Sequence, residues 1–169
     1  MYLVDDEDRV IELCDLPGHN AGAPEPVILA TDLTLLVAYR AKGDTDDLVV
    51  LQFARVFAHY FGGPNDEALT GHPLAGRGLR PYGSFEVVGS SWIRLLEQRN
   101  RVHQHHDPRP FSKARHFILT FHDHTFECVA ENVSVKAAGP GGVPSWVAEL
   151  IEAARRGSGR SPDARARST

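Results

Sequence analysis

The alternation of apolar and polar residues is clearest in residues 115–135, RHFILTFHDHTFECVAENVSV. A period of two on both sides of a polar break is typical of a β-hairpin, so we predict one with Asp123-His124 as a two-residue loop. This register places Phe121 opposite Phe126 on an apolar face. A shift of one residue would mix apolar and polar side chains, so the pattern disfavours it.

The opposite face of the predicted hairpin carries most of its polar side chains, namely His116, Thr120, His122, Glu127 and Glu131. In the predicted register Thr120 lies opposite Glu127 and His116 lies opposite Glu131. If this face meets water, it is an ordinary solvated surface. If it is sheltered, its groups have shifted pKa values and can do acid–base chemistry. The apolar positions change phase after Glu131, which predicts a β-bulge near Glu131-Asn132 and a curved sheet.

Apolar patterns elsewhere in the chain predict the remaining elements. We predict strands at residues 33–40 and 85–88, a helix at 92–99 behind the cap residues Ser90-Ser91, and a last helix at 146–154. Residues 2–15 fit an edge strand or a loosely held arm, and residues 48–61 fit a strand or a helix, with strand favoured in the first half. The predicted fold is α+β: a mainly antiparallel, curved β-sheet of five to seven strands with one short central helix and a C-terminal helix.

Length and charge limit the classes of protein. The 169 residues suit one globular domain, placed at residues 1–154, followed by a disordered basic tail at 155–169. The net charge is −4, and five Arg and one Asp give the tail +4, which leaves −8 for residues 1–154. Such an acidic body argues against a nucleic-acid partner. The absence of a long apolar run and of a secretory signal, with only two cysteines, predicts no membrane association and a cytoplasmic location.

A long Gly- and Pro-rich segment at residues 62–83 also contains several residues able to do chemistry. Loops of this length inside a compact domain are uncommon and are often functional. His72 could act as a base oriented by Asp66 or Glu67, with Tyr82 nearby. The alternative is a surface connector that is charged because it is solvated.

Two histidine-rich stretches raise the question of a metal. His103, His105 and His106 lie in one loop, whereas His122 directly precedes the predicted hairpin turn and His124 is its second residue. Imidazoles suit several divalent metals, but neither stretch has a further ligand pair at a recognised spacing. A divalent metal therefore stays open as a cofactor, and the sequence indicates no particular one.

Two function classes follow from these patterns. The first is a small-molecule enzyme or binding protein whose His/Glu-lined pocket lies between the concave hairpin face and the 62–83 loop, with acid–base chemistry that is either metal-assisted or metal-free. Its predicted catalytic residues are Glu127, His122 and His72, and its predicted binding residues are Asp66, Glu67, Tyr82, His116, Thr120 and Glu131. The second is a non-catalytic protein–protein interaction or regulatory module that uses the acidic arm and the basic tail. In the first class, Glu127→Gln is expected to leave folding intact. The sequence indicates no particular substrate or oligomeric state.

Overall fold

The computed structural model describes residues 2–20, 26–32, 34–43, 47–138 and 145. Its strands are β1 (Arg9–Glu12), β2 (Val27–Ala30), β3 (Leu35–Arg40), β4 (Leu48–Gly62), β5 (Ser84–Val88), β6 (Arg115–Thr120) and β7 (Thr125–Ala138). Its α-helices are α1 (Ser91–Asn100) and the single turn α2 (Arg109–Ser112), and two 3₁₀ turns lie at Leu69–Gly71 and Ala75–Arg77.

All of the strands belong to one antiparallel sheet, in the order β1-β5-β6-β7-β4-β3-β2. The predicted α+β class with a mainly antiparallel sheet is confirmed. The ambiguous residues 48–61 are strand throughout, and the first segment contributes an edge strand, β1, that pairs with β5. The predicted helix at 146–154 and the predicted tail at 155–169 lie outside the described residues.

The predicted hairpin is present as β6 and β7, but its predicted two-residue loop is wrong. The loop has four residues, 121–124, and the Phe121 amide donates to the His124 carbonyl oxygen at 2.8 Å. Thr120 therefore pairs with Thr125, and Leu119 pairs with Phe126. This register differs from the predicted one by two residues, which keeps every side chain on its predicted face.

The predicted position of the β-bulge is wrong. The β4–β7 register shifts between Val56 and Ala58, opposite Ala130 and Val129, and shifts again between Val50 and Leu51. The first shift places an extra residue in β4 and the second places one in β7, between Val135 and Ala137, so neither extra residue is Glu131 or Asn132. A phase change in one strand shows that the faces switch, but it does not show which of the two paired strands carries the bulge.

The sheet curls around its apolar face. Tyr39 of β3 and Phe121, just beyond β6, have ring centroids 5.7 Å apart, although their strands are three positions apart in the sheet. In a flat sheet three spacings would amount to about 14 Å. The concave face is filled by the main apolar core, which includes Phe53, Phe117 and Phe126. The apolar face is therefore the concave one, whereas the sequence analysis assigned the concave side to the polar face of the hairpin.

The convex face is covered by α1, the 62–83 loop and the arm at residues 2–8. These elements form a second apolar cluster with the sheet, built around Leu74, Phe85 and Ile118. α1 begins at Ser91, and the side chain of Ser90 caps it by accepting from the Ile93 amide. Three of the polar residues predicted on this face of the hairpin, His116, Thr120 and Glu127, are therefore buried between the sheet and this cover.

Candidate functional site

A buried carboxylate lies at the centre of the convex face. Glu127 is in β7, directly opposite Ile118 of β6 on one side and Tyr60 of β4 on the other. It is 1% exposed. Carboxylates are almost never buried without partners, so the groups around it define the site.

Three side chains donate hydrogen bonds to the Glu127 carboxylate. The Tyr2 hydroxyl donates to Oε2 at 2.7 Å, and His116 Nε2 lies 3.1 Å from the same oxygen. His72 Nε2 lies 3.0 Å from Oε1. The arm, β6 and the 62–83 loop thus converge on one acceptor, and the structure brings together three of the predicted site residues: Glu127, His72 and His116.

The surroundings of the two imidazoles explain why both donate to Glu127. The Leu74 amide donates to His72 Nδ1 at 3.1 Å, so this nitrogen carries no proton and Nε2 carries the ring N–H. The Ser90 hydroxyl lies 2.9 Å from His116 Nδ1. Since Ser90 Oγ already accepts from a backbone amide, its own proton is available to donate to His116.

This arrangement keeps Glu127 ionised. Burial raises the pKa of Glu127. The hydrogen bonds from His116, His72 and Tyr2 lower this pKa by more than burial raises it, so that it falls to about 2. Burial and the neighbouring Glu127 charge raise the pKa of Tyr2, so its hydroxyl stays a donor. Glu127 is therefore a fixed negative charge and a weak base.

Glu127 borders a pocket of about 330 Å³ between α1 and the sheet. Its walls come from the arm, β4, α1 and β7, and are Tyr2, Ala58, His59, Tyr60, Trp92, Leu95, Leu96, Arg99 and Glu127. The rings of Tyr2 and Trp92 stack with centroids 5.2 Å apart and an interplanar angle of 13°. The pocket thus combines apolar and aromatic walls with one buried anion.

A second polar cluster lies at the surface, where the 62–83 loop meets the hairpin loop. Asp66 accepts from the Tyr82 hydroxyl and lies 2.9 Å from His122 Nδ1. The hydrogen bond with Asp66 raises the pKa of His122, and the hydrogen bond from Tyr82 lowers the pKa of Asp66. The His122 side chain is 50% exposed. Asp66, Tyr82 and His122, all predicted site residues, thus link the 62–83 loop to the hairpin loop by hydrogen bonds. This cluster is separate from the buried Glu127 carboxylate.

The other predicted binding residues do not meet Glu127. The Thr120 hydroxyl donates to the Arg80 carbonyl oxygen at 2.8 Å and accepts from the Gly83 amide at 3.0 Å, which fastens the end of the 62–83 loop. Glu131 forms an ion pair with Arg55 at 3.3 Å, and Glu67 is exposed. The predicted pairs Thr120–Glu127 and His116–Glu131 are wrong because the hairpin register differs by two residues.

Sequence reasoning missed Tyr2, Trp92 and Ser90 as members of the site. Tyr2 precedes an acidic run without any periodic pattern, Trp92 is the first residue of the predicted helix, and Ser90 is predicted only as a cap of that helix. Each reaches the site through a long-range contact, as the 125-residue separation of Tyr2 from Glu127 illustrates. No local signal in the sequence marks such contacts.

The protonation pattern argues against a metal at the buried cluster. His72 Nε2 carries a proton, so it has no lone pair to offer a cation while Leu74 donates to Nδ1. Within the described part of the chain, no group of three or more His, Cys, Asp or Glu is arranged to hold a metal ion. The cluster is better described as a hydrogen-bond network around a carboxylate.

Fold and site together define a class: an open, curled antiparallel sheet with a buried, ionised carboxylate under a helix, beside a small pocket. No protein-family profile, curated protein or solved structure matches the chain. Neither of the two α-helices in the described residues has the length and apolar character needed to cross a membrane.

Proposed function

We propose that the chain binds a small molecule in the pocket between α1 and the sheet, with Glu127 as the anionic acceptor at its floor. The observation that carries this proposal is a 1%-exposed carboxylate that borders an open pocket of about 330 Å³. This volume lies within the usual range for ligand pockets, which combine apolar walls with a few placed polar groups.

The hydrogen bonding of Glu127 favours binding over general-base catalysis. An efficient general base has a pKa near the working pH. The pKa of Glu127 is lowered to about 2 by its three donors, so it would accept a proton from a substrate poorly. We therefore propose that Glu127 accepts a hydrogen bond from a donor group of the ligand, instead of the proton transfer predicted from the sequence.

The carboxylate has capacity left for a ligand. Oε2 accepts from both Tyr2 and His116, whereas Oε1 accepts only from His72 among the hydrogen bonds described. A carboxylate oxygen can accept two hydrogen bonds. The ligand we propose has an apolar body, which contacts the α1 wall, and one N–H or O–H group directed at Glu127.

A test is fragment screening by ligand-observed NMR, comparing the wild type with Ala58→Trp. The indole should fill the pocket and weaken binding of pocket fragments by about tenfold or more, because it removes the volume that they occupy. Ala54→Trp is the matched control, since Ala54 is exposed in the same strand and does not line this pocket. Fragments that bind both variants as well as the wild type, or no bound fragment at all, would refute the proposal.

The alternative, a protein–protein interaction module acting through the acidic arm, is less well supported. Arg94 forms ion pairs with Asp5 and with Glu7, and Arg77 forms one with Asp6. The acidic arm is thus engaged by basic side chains of its own chain. A cytoplasmic location stays a prediction from the sequence.

A further inference from the structure

The contacts of the Tyr2 side chain with the rest of the protein are those that a bound phenol would make. Its hydroxyl donates to Glu127 Oε2 at 2.7 Å, and its ring stacks on Trp92 with centroids 5.2 Å apart. The His116 ring meets the Tyr2 ring edge-on, at 5.3 Å and 87°. The side chain is almost fully enclosed, with only 5% of the residue exposed. One charged acceptor and two aromatic walls thus surround a single phenol ring.

The socket that holds Tyr2 is built by elements other than the arm. His116 and His72 hold the Glu127 carboxylate from β6 and from the 62–83 loop. Trp92 is in the first turn of α1, and Ser90 holds His116 from the helix cap. An acceptor that is already oriented and desolvated binds a donor at a lower entropic cost than a flexible one.

The arm has further anchors beyond Tyr2. The buried Asp8 carboxylate accepts from the Ser91 amide at 2.8 Å and from the Asp5 amide at 2.8 Å. Leu3, between the socket and these anchors, is 89% exposed. Val4 packs against the second apolar cluster, so Leu3 is the residue about which the backbone would rotate if Tyr2 left the socket while the anchors at Asp5 and Asp8 stayed in place.

Tyr2 also forms part of the wall of the open pocket. Trp92 and Glu127, which contact Tyr2 in the socket, line the same pocket, so a ligand in the pocket would lie beside the Tyr2 ring and beside part of its socket. Movement of Tyr2 would join the pocket and the socket into one larger cavity with Glu127 at its base.

We propose that the ligand is a phenol, whose aromatic ring and hydroxyl replace those of Tyr2 against Trp92 and Glu127, and that Tyr2 is a tethered competitor of this ligand. The inference rests on the proposed function, because it names the class of molecule that enters the same pocket. Because a tether of a few residues joins Tyr2 to the rest of the chain, its effective concentration at the socket is on the order of millimolar. A free phenol must therefore bind tightly enough to compete with Tyr2 at that concentration.

The test is binding of 4-methylphenol, the side chain of tyrosine as a free molecule, to Tyr2→Ala by calorimetry and thermal shift. We expect saturable binding with a rise in Tm, because the ligand binds only the folded state. Toluene and 4-methylanisole, which cannot donate, should bind about tenfold more weakly or worse, since a hydrogen bond to a charged acceptor is lost. Wild type and Tyr2→Phe, whose sockets are filled, should bind 4-methylphenol more weakly than Tyr2→Ala. Leu3→Ala should behave as the wild type.

Equal affinity of Tyr2→Ala for toluene and 4-methylphenol would overturn the inference. So would the absence of 4-methylphenol binding in a folded Tyr2→Ala that still binds fragments sensitive to Ala58→Trp. That result would leave the proposed function standing, whereas loss of both kinds of binding would remove both proposals. If Tyr2→Ala does not fold, excess 4-methylphenol is titrated into the wild type. It should then displace Tyr2 and shift the Leu3 amide and Trp92 indole signals, and unchanged signals would overturn the inference.

Discussion

Glu127 shows how a single residue combines burial with charge. Removing an ion from water costs several kcal/mol unless hydrogen bonds replace its hydration. Tyr2, His72 and His116 supply that replacement, at 2.7, 3.0 and 3.1 Å. The same donors that make Glu127 a weak base make it important for stability, so its role in the site and its role in the fold are coupled.

The structure revises the expectation that Glu127→Gln would leave folding intact. The amide of Gln would direct N–H groups at one or more of the three donors and leave them unsatisfied. We expect the free energy of unfolding to fall by about 2–4 kcal/mol, measured by urea denaturation at pH 7.

The matched control is Glu131→Gln in the same strand. Glu131 pairs with Arg55, whose side chain is 76% exposed, so the change should stay within about 0.5 kcal/mol. Equal stability of Glu127→Gln and the wild type would show that the buried network contributes little.

Ser90 contributes to the helix and to the site at once. Its Oγ accepts from the Ile93 amide at 3.3 Å and lies 2.9 Å from His116 Nδ1. Ser90→Ala should lower the free energy of unfolding by about 2–3 kcal/mol, because both the cap and the His116 partner are lost. Ser112→Ala, at an exposed serine, should change it by less than about 0.5 kcal/mol. Similar losses from the two variants would contradict the dual role of Ser90.

At the scale of elements, the hairpin shows what a side-chain pattern determines. Alternation assigns Phe117, Leu119 and Phe126 to the core face, and the structure places all three there. It does not distinguish registers that differ by two residues, because both give the same faces. The choice of a four-residue loop closed between Phe121 and His124 depends on turn geometry and on packing around Phe121, not on the alternation.

Gly89, in the connection between β5 and α1, lies in close contact with Glu7 of the arm. Its φ is +68°, and a methyl group there would overlap the Glu7 carbonyl oxygen. Gly89→Ala should therefore lower the free energy of unfolding by about 2–4 kcal/mol and speed amide exchange at Asp5 and Asp8, as the arm loosens.

Gly76→Ala is the comparison for this substitution, because nothing lies within 4 Å of its Cβ position. It should be neutral or stabilising by up to about 1 kcal/mol. An arm whose amide exchange is unchanged in Gly89→Ala would show that the close approach at Glu7 is not restrictive.

At the scale of the whole molecule, acid stability should report on the buried carboxylate. The pKa of Glu127 is lowered from 4.5 to about 2 in the folded protein, so the unfolded chain binds more protons between these values. Its stabilising contribution is complete above about pH 4.5 and is lost as the pH falls towards 2.

The measurement is the difference in free energy of unfolding between wild type and Glu127→Gln from pH 7 down to pH 2. This difference should be constant above about pH 5 and should shrink by roughly 3 kcal/mol below it, because Gln does not titrate. A difference that does not change with pH would mean that Glu127 is not ionised in the folded protein.

The class of fold, the presence of the hairpin and the face on which each hairpin side chain lies could all be read from the order of residues, because they follow from a periodicity within a few neighbouring residues. The register, the filling of the concave face and the convergence of Tyr2, His72 and His116 on Glu127 became apparent only in the packed molecule. The register depends on the turn and on packing around Phe121, whereas Tyr2 and His72 reach Glu127 across 125 and 55 positions of the chain. Such contacts arise from the shape of the packed sheet and its cover, for which the local order of residues carries no signal.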